Sequence, residues 1–235
     1  MNSTFTGIEM GKRSLITHTQ ALHTVGHNVS NAAVEGYSRQ RVEMEAFHPI
    51  YMPGLNREET AGQLGQGVTA QRIERVHDEI LEGRIVAQSN GEGYWKMRDK
   101  YMLMVEQVYN EPEDVSVRAL MDRFWESWQE LSIHPEQTAA RHAVLQRGQT
   151  LIDGIHRRYE GLKDIRDMLE QDVSATVSRI NSILSDVAKT NEEIVKIEAM
   201  GDNPNDLLDK RDKLVRELSS LINITVDGRD PDEFT

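Results

Sequence analysis

A sustained heptad repeat runs through LQRGQTLIDGIHRRYEGLKDIRDMLEQDVSATVSRINSILSDVAKTNEEIVKI, residues 145–197. One heptad position is filled by Leu145, Ile152, Tyr159, Arg166, Val173, Ile180, Val187 and Ile194. The other is filled by Gly148, Ile155, Leu162, Leu169, Thr176, Ile183, Thr190 and Ile197. An apolar seam of this spacing predicts one helix of about 80 Å, at ~1.5 Å per residue, that packs lengthwise on other helices.

Shorter apolar periods flank this stretch and predict further helices. Two precede it and are closed by Pro112 and Pro135, and one follows the break at Pro204. The second of these helices carries the aromatic group Phe124, Trp125 and Trp128, whose helical spacing favours a buried core over a binding surface. We therefore expect an α-helical bundle domain over residues 78–223.

The N-terminal segment, residues 1–34, has a thinner seam on a polar background. Its apolar residues fall at Ile8, Leu15, Leu22, Val25 and Val29. A stripe this narrow suits pairing with another helix, and glycines and threonines weaken the segment's own helical propensity. We expect these residues to form a helix interface whose partner is missing from this chain, so that the free segment is frayed.

Between the two helical regions, glycines and prolines break the period over residues 35–77. Partial alternation at 41–45 and 68–73 predicts two short strands within an irregular, hairpin-like connector. After the helical domain, residues 224–235 begin with a strand-like Ile-Thr-Val and are expected to start a further β domain that continues beyond this sequence. The predicted fold class is mainly α, a long-helix bundle with a thin N-terminal helix and a β-hairpin connector.

Composition argues against several classes of function. A formal charge of −12 disfavours nucleic acid and anionic membranes as partners, and no apolar run reaches the roughly 20 residues of a membrane span. The chain has no cysteine, and its start lacks the features of a cleaved signal peptide. His23 and His27 have metal-compatible spacing without a third ligand on that face. We predict no catalytic residue, no cofactor and no metal site.

A short motif follows the thin helix directly: Asn28-Val-Ser-Asn31-Ala-Ala-Val-Glu-Gly36-Tyr37-Ser-Arg39-Gln40. It resembles the N-terminal signature of the flagellar axial proteins, a family of rod, hook and junction subunits, with Val34 where that signature usually has Thr. Residues 203–218, NPNDLLDKRDKLVREL, resemble a late helix of the hook–filament junction subunits. The resemblance implies an assembly role for Asn28, Asn31, Gly36, Tyr37, Arg39 and Gln40.

The same resemblance implies a non-enzymatic structural subunit that assembles as an adaptor between hook and filament. Its expected partners are hook subunits, a second junction protein, further copies of itself and the flagellar export apparatus. Its expected location is the extracellular flagellum, or the periplasm where flagella are internal. Two alternatives remain open: a rod or hook subunit, which would need β-rich domains, and a helical-bundle metal protein or enzyme.

Overall fold

A computed structural model of the chain describes residues 5–49, 65–109 and 116–226. The elements in chain order are α1 (Thr6–Asn31), β1 (Gln40–Ala46), β2 (Val68–Arg75), α2 (Glu79–Tyr109), α3 (Val117–Ile133), α4 (Thr138–Glu198) and α5 (Asn205–Leu221). The fold is mainly α, as the sequence predicts. No helix in the described ranges is both long enough and apolar enough to cross a membrane.

The two strands form an antiparallel hairpin in the predicted connector. Gln40 pairs with Arg75 at one end and Ala46 with Val68 at the other, with an irregularity between Glu43 and Met44. Arg41 donates from Nε to Glu74 Oε1 at 2.8 Å across the strands, which adds an exposed charged pair to the ladder. The predicted pair of strands is confirmed, and each is slightly longer than expected.

The chain divides into two compact units. The first combines residues 1–89 with 183–235, and the second consists of residues 90–182. The first unit therefore groups the N-terminal segment and the connector with the end of the helical region. Its buried apolar side chains come from α2, α4 and α5 and are Val86, Ile183, Ile194, Val215 and Leu218.

The second unit packs through glycines on α4. A Cβ placed on Gly154 would lie 2.6 Å from Leu120 Cδ1, and one on Gly148 would lie 3.4 Å from the Phe124 ring. Gly161 makes the same kind of approach to Val108 of α2, at 3.3 Å. Because contacts move backward along α4 as they move forward along α2 and α3, these helices run antiparallel to α4.

The predicted heptad register holds in the second half of α4 and fails in the first. Ile183 and Ile194 are buried, whereas Leu145 is 70 % exposed and Val144 beside it is buried. In a straight helix of 3.6 residues per turn, a strict seven-residue repeat drifts by about 20° per heptad. Five heptads separate Ile180 from Leu145, so the drift reaches about 100°, which is one residue.

The predicted burial of the aromatic group is wrong. Trp125 is 64 % exposed and Trp128 is also exposed, because Leu120 and Ser127 occupy the buried face of α3 instead.

The start of a further β domain at residues 224–235 stays a prediction. Residues 224–226 are not in a strand in the described part of the chain, and residues 227–235 lie outside it.

Burial of Ile183 sets an expectation for stability. The side chain is 1 % exposed, so Ile183→Ala should lower the free energy of unfolding by about 2–5 kcal/mol, the usual cost of such a cavity. Glu192→Ala, on the exposed face of the same helix, should change it by less than about 0.5 kcal/mol. Denaturant melts measure both, and equal losses would contradict the burial of this face.

The close approach of Leu120 to Gly154 gives a second prediction. Gly154→Ala should destabilise the second unit by about 1–3 kcal/mol, because the added methyl group meets the buried Leu120 side chain. Gly91→Ala is the matched control: a Cβ there meets nothing within 4 Å, so the change should be stabilising by about 0.5–1 kcal/mol. Thermal melts of the two variants should therefore shift in opposite directions. Shifts of the same sign would show that α3 and α4 are not so closely packed.

Candidate assembly site at the signature loop

The signature loop, residues 32–39, joins the end of α1 to β1. Gly36 has a φ of 86°, in the left-handed region that glycine adopts without strain. A Cβ at this position would also lie 3.3 Å from the Lys213 side chain of α5. Both the backbone conformation and the approach of α5 therefore favour glycine here.

Asn28, in the last turn of α1, holds the two ends of the loop together. Its Oδ1 accepts hydrogen bonds from the Tyr37 hydroxyl and from the Gln40 backbone N–H, both at 2.8 Å. Its Nδ2 donates to the Gln40 carbonyl, also at 2.8 Å. One side chain thus fixes the loop's exit into β1.

The acidic face of α5, formed by Asp206, Asp209 and Asp212, receives the loop and the hairpin. Residues three apart lie on the same side of a helix, so the three carboxylates form a row. Asp209 Oδ2 accepts from the Ser38 N–H at 2.7 Å, and Asp206 Oδ1 accepts from Gln40 Nε2 at 2.7 Å. Asp209 therefore binds the signature loop, and Asp206 binds the first residue of β1.

Arg75, the last residue of β2, completes this contact with a buried ion cluster. Its Nη1 donates to Asp209 Oδ1 at 3.2 Å and also to Asp212 Oδ2. The side chains of Arg75 and Asp209 are only 14 % and 7 % exposed. His77 Nε2 lies 3.8 Å from Asp212 Oδ2. Because a buried charge without its partner is costly, Arg75 fixes the end of the hairpin on α5.

Beside these contacts lies a cavity of about 350 Å³. Its walls come from the end of α1, the signature loop and the first turns of α5, and include His27, Tyr37, Asp206 and Lys210. The His27 and Tyr37 rings meet edge to face with centroids 5.5 Å apart. Burial raises the pKa of Tyr37, and the nearby carboxylates of Asp206 and Asp209 raise it further. The phenol therefore stays protonated and donates to Asn28.

The remaining motif residues lie apart from α5. Asn31 Nδ2 donates to the His27 carbonyl within α1 at 3.0 Å. Arg39 is exposed, and its backbone carbonyl accepts from Val76 N at 2.7 Å. The structure thus brings Asn28, Gly36, Tyr37 and Gln40 together against α5 and leaves the Arg39 side chain facing solvent.

The predicted interface of α1, which we call the apolar stripe, is exposed along its whole length. Its members are 56–72 % exposed and are Ile8, Leu15, Leu22, Val25 and Val29. The buried residues of α1 are instead Thr17 and Thr24. An exposed row of apolar side chains at heptad spacing is the surface that another helix would cover.

The opposite side of α1 packs on the hairpin. Thr17 Oγ1 donates to the Val68 carbonyl at 3.2 Å, and Arg13 donates to Gln66 Oε1 at 2.7 Å while stacking on the Phe47 ring. The segment therefore does have a partner within the chain, on its polar side. The apolar stripe stays exposed, and its role as a helix interface remains a prediction. The prediction from the sequence considered apolar residues alone. The contacts that hold α1 are instead made by Thr17, Arg13 and Asn28.

The acidic face of α5 and Arg75 were not identified from the sequence as parts of the site. The signal was present as Asp206-x-x-Asp209-x-x-Asp212, a spacing that places three carboxylates on one face of a predicted helix. Their partners lie 134–171 residues away in sequence, so the spacing gave no indication of what they bind.

His23 and His27 are not joined by a third potential metal ligand in the described ranges. No group of three or more His, Cys, Asp or Glu residues is arranged there to hold a metal ion. His27 Nε2 instead lies 3.4 Å from Asp206 Oδ1, on the same oxygen that accepts from Gln40.

These contacts separate residues that stabilise the free chain from those that do not. Asn28→Ala should lower the free energy of unfolding of the first unit by about 1–3 kcal/mol, because it leaves polar groups of Gln40 without partners. Tyr37→Phe removes a single hydrogen bond and should cost about 0.5–1.5 kcal/mol. Arg39→Ala is the exposed control, expected within about 0.5 kcal/mol. Urea melts that rank Arg39→Ala as the most damaging change would contradict the geometry.

Comparison with known proteins agrees on one family. The sequence model of the flagellar hook-associated protein FlgK helical domain matches residues 102–235, more than half of the chain. Flagellar hook-associated protein 1 of Bacillus subtilis (strain 168) is 37 % identical over 226 residues, which cover 96 % of this chain and 45 % of that protein.

The proteins of the same name from Salmonella typhimurium and Escherichia coli are each 26 % identical. The matches cover 92 % and 89 % of this chain, and 40 % and 37 % of those proteins. The chain thus spans less than half the length of these relatives. On the helical-domain match and the 37 % identity over nearly all of its residues, the chain belongs to the FlgK family of flagellar hook-associated proteins.

Proposed function

We propose that this chain is part of a structural subunit at the hook–filament junction of the bacterial flagellum, where it assembles non-covalently as an adaptor. The observation that carries this proposal is the apolar stripe of α1, exposed along about 30 Å of helix. Covering such a stripe with helices of neighbouring subunits would stabilise an assembly by the hydrophobic effect. The relatives' shared name, which refers to the hook, supports the location.

The partners follow from this role. Hook subunits, a second junction protein and further copies of the chain would cover α1, with the signature loop holding the helix at a defined angle. The flagellar export apparatus would deliver the chain to the extracellular flagellum, or to the periplasm where flagella are internal. We assign Asn28, Gly36, Tyr37 and Gln40 an indirect part in assembly, since their contacts are intramolecular. Arg39 and the apolar stripe are the groups available for direct contact.

The alternatives have less support. A rod or hook subunit would need β-rich domains, and the described residues contain only β1 and β2 as strands. A helical-bundle enzyme or metal protein would need a polar site that binds substrate or metal. The acidic face of α5 is instead occupied by Ser38, Gln40 and Arg75 of the same chain.

The apolar stripe can be tested in cells. In the full-length protein, Leu15→Asp should abolish motility and release filament subunits into the medium, because a charge would be buried between packed helices. Gln20→Asp, an exposed change elsewhere on α1, should leave motility unchanged. Complementation of a strain that lacks the junction protein provides the measurement. Circular dichroism of the purified variants should show intact helices in both, because Leu15 is exposed in the free chain. Normal motility with Leu15→Asp would refute the proposed role of the stripe.

A further inference from the structure

Three segments distant in sequence meet on α5. The Ser38 N–H of the signature loop and the Gln40 side chain at the start of β1 reach it across 171 and 166 residues of chain. Arg75 reaches it from the end of β2. Asn205 Nδ2 adds a bond to the Ile73 carbonyl at 2.9 Å. These contacts all join the N-terminal part of the first unit to one helix.

α5 itself is firmly held in the first unit. Seven of its residues are buried, namely Asn205, Asp209, Arg211, Asp212, Val215, Leu218 and Ser219. Arg216 also donates from Nη2 to Glu82 Oε2, near the start of α2, at 3.0 Å. Burial and this ion pair therefore hold α5 in place within the first unit.

α1 is bound to the hairpin region by contacts that do not involve α5. Thr17 and Arg13 bind residues at the start of β2, and the Arg13 guanidinium lies 4.0 Å from the centre of the Phe47 ring. These contacts fix α1 relative to the hairpin. The position of that pair relative to α5 depends on the polar contacts of the acidic face, together with the bond from Asn205 to Ile73.

We propose that the acidic face of α5 is a latch that sets the orientation of α1 relative to α5 within the first unit, with Asp209 as its central residue. Asp209 is the member that binds both the signature loop and the hairpin, one carboxylate oxygen to each. Removing its charge weakens both attachments at once, because Ser38 loses its contact with α5 and Arg75 keeps only Asp212, while the α1–hairpin contacts persist. The proposal concerns the free chain and does not depend on where the protein assembles.

The substitution Asp209→Asn tests the latch, because it changes the charge of this side chain with almost no change in its size. Both groups that face the Asp209 side chain, the Ser38 N–H and the Arg75 guanidinium, are donors. An amide keeps one acceptor oxygen and replaces the other with an NH₂ donor. In Asp209→Asn, the NH₂ group must therefore face either the Ser38 N–H or the Arg75 guanidinium. Either orientation of the amide sets one donor against another. Asp202→Asn, an exposed change just before α5, is the matched control.

The readout is the distance between two spin labels, one on α1 and one near the end of α4. The chain contains no cysteine, so Gln20→Cys and Glu193→Cys provide the sole labelling sites, both exposed and both in the first unit. In the labelled parent chain, which keeps Asp209, and in the labelled Asp202→Asn control, pulsed electron resonance should give one narrow distribution of distances between the labels. With Asp209→Asn, the distribution should broaden at least twofold or split.

Hydrogen exchange on the same samples separates a latch from a general folding residue. A latch predicts faster exchange, at least tenfold, in residues 36–41 and 73–76 of Asp209→Asn, with unchanged protection in 206–221 and 90–109. An unchanged distance distribution would overturn the proposal. Loss of protection throughout α5 would also overturn it, because Asp209 would then hold the helix together and not orient α1.

Discussion

Arg75 lies at the end of β2 with its guanidinium between Asp209 and Asp212, and the organisation of the first unit depends on this buried ion cluster. An ion pair removed from water tolerates little displacement, because losing either partner leaves an uncompensated charge. The row of Asp residues on α5 therefore fixes both the hairpin and the signature loop. Glycine at position 36 permits the close approach that the loop requires.

α1 reverses the usual arrangement of a helix on a soluble domain. Its polar side, with Thr17 and Thr24, faces the hairpin, and its apolar stripe faces solvent. In a free chain the exposed stripe contributes little to stability, since the hydrophobic effect operates only when surface is removed from water. Polar contacts position the helix in the monomer, and the apolar residues remain available for a larger assembly.

Packing differs between the two halves of α4. Around Ile183 and Ile194 the helix buries branched side chains, and the heptad positions coincide with the buried face. In the second unit, Gly148, Gly154 and Gly161 face α2 and α3, and the large residues of the heptad repeat point to solvent. Small residues bring helix backbones together, so this unit is stabilised by close contact and buries few large side chains.

The sequence by itself determined the fold class, the number and approximate bounds of the helices, the hairpin and the family, since these follow from local periodicity, breakers and a short motif. It also identified the residues of the signature motif and the apolar stripe. Only the tertiary structure decided which face of α4 is buried, because a drift of about 20° per heptad accumulates along a straight helix. It also decided that Asn28, Tyr37 and Gln40 bind within the chain and that Asp209 and Arg75 meet. Such pairings join residues more than a hundred positions apart, and local patterns carry no information about them.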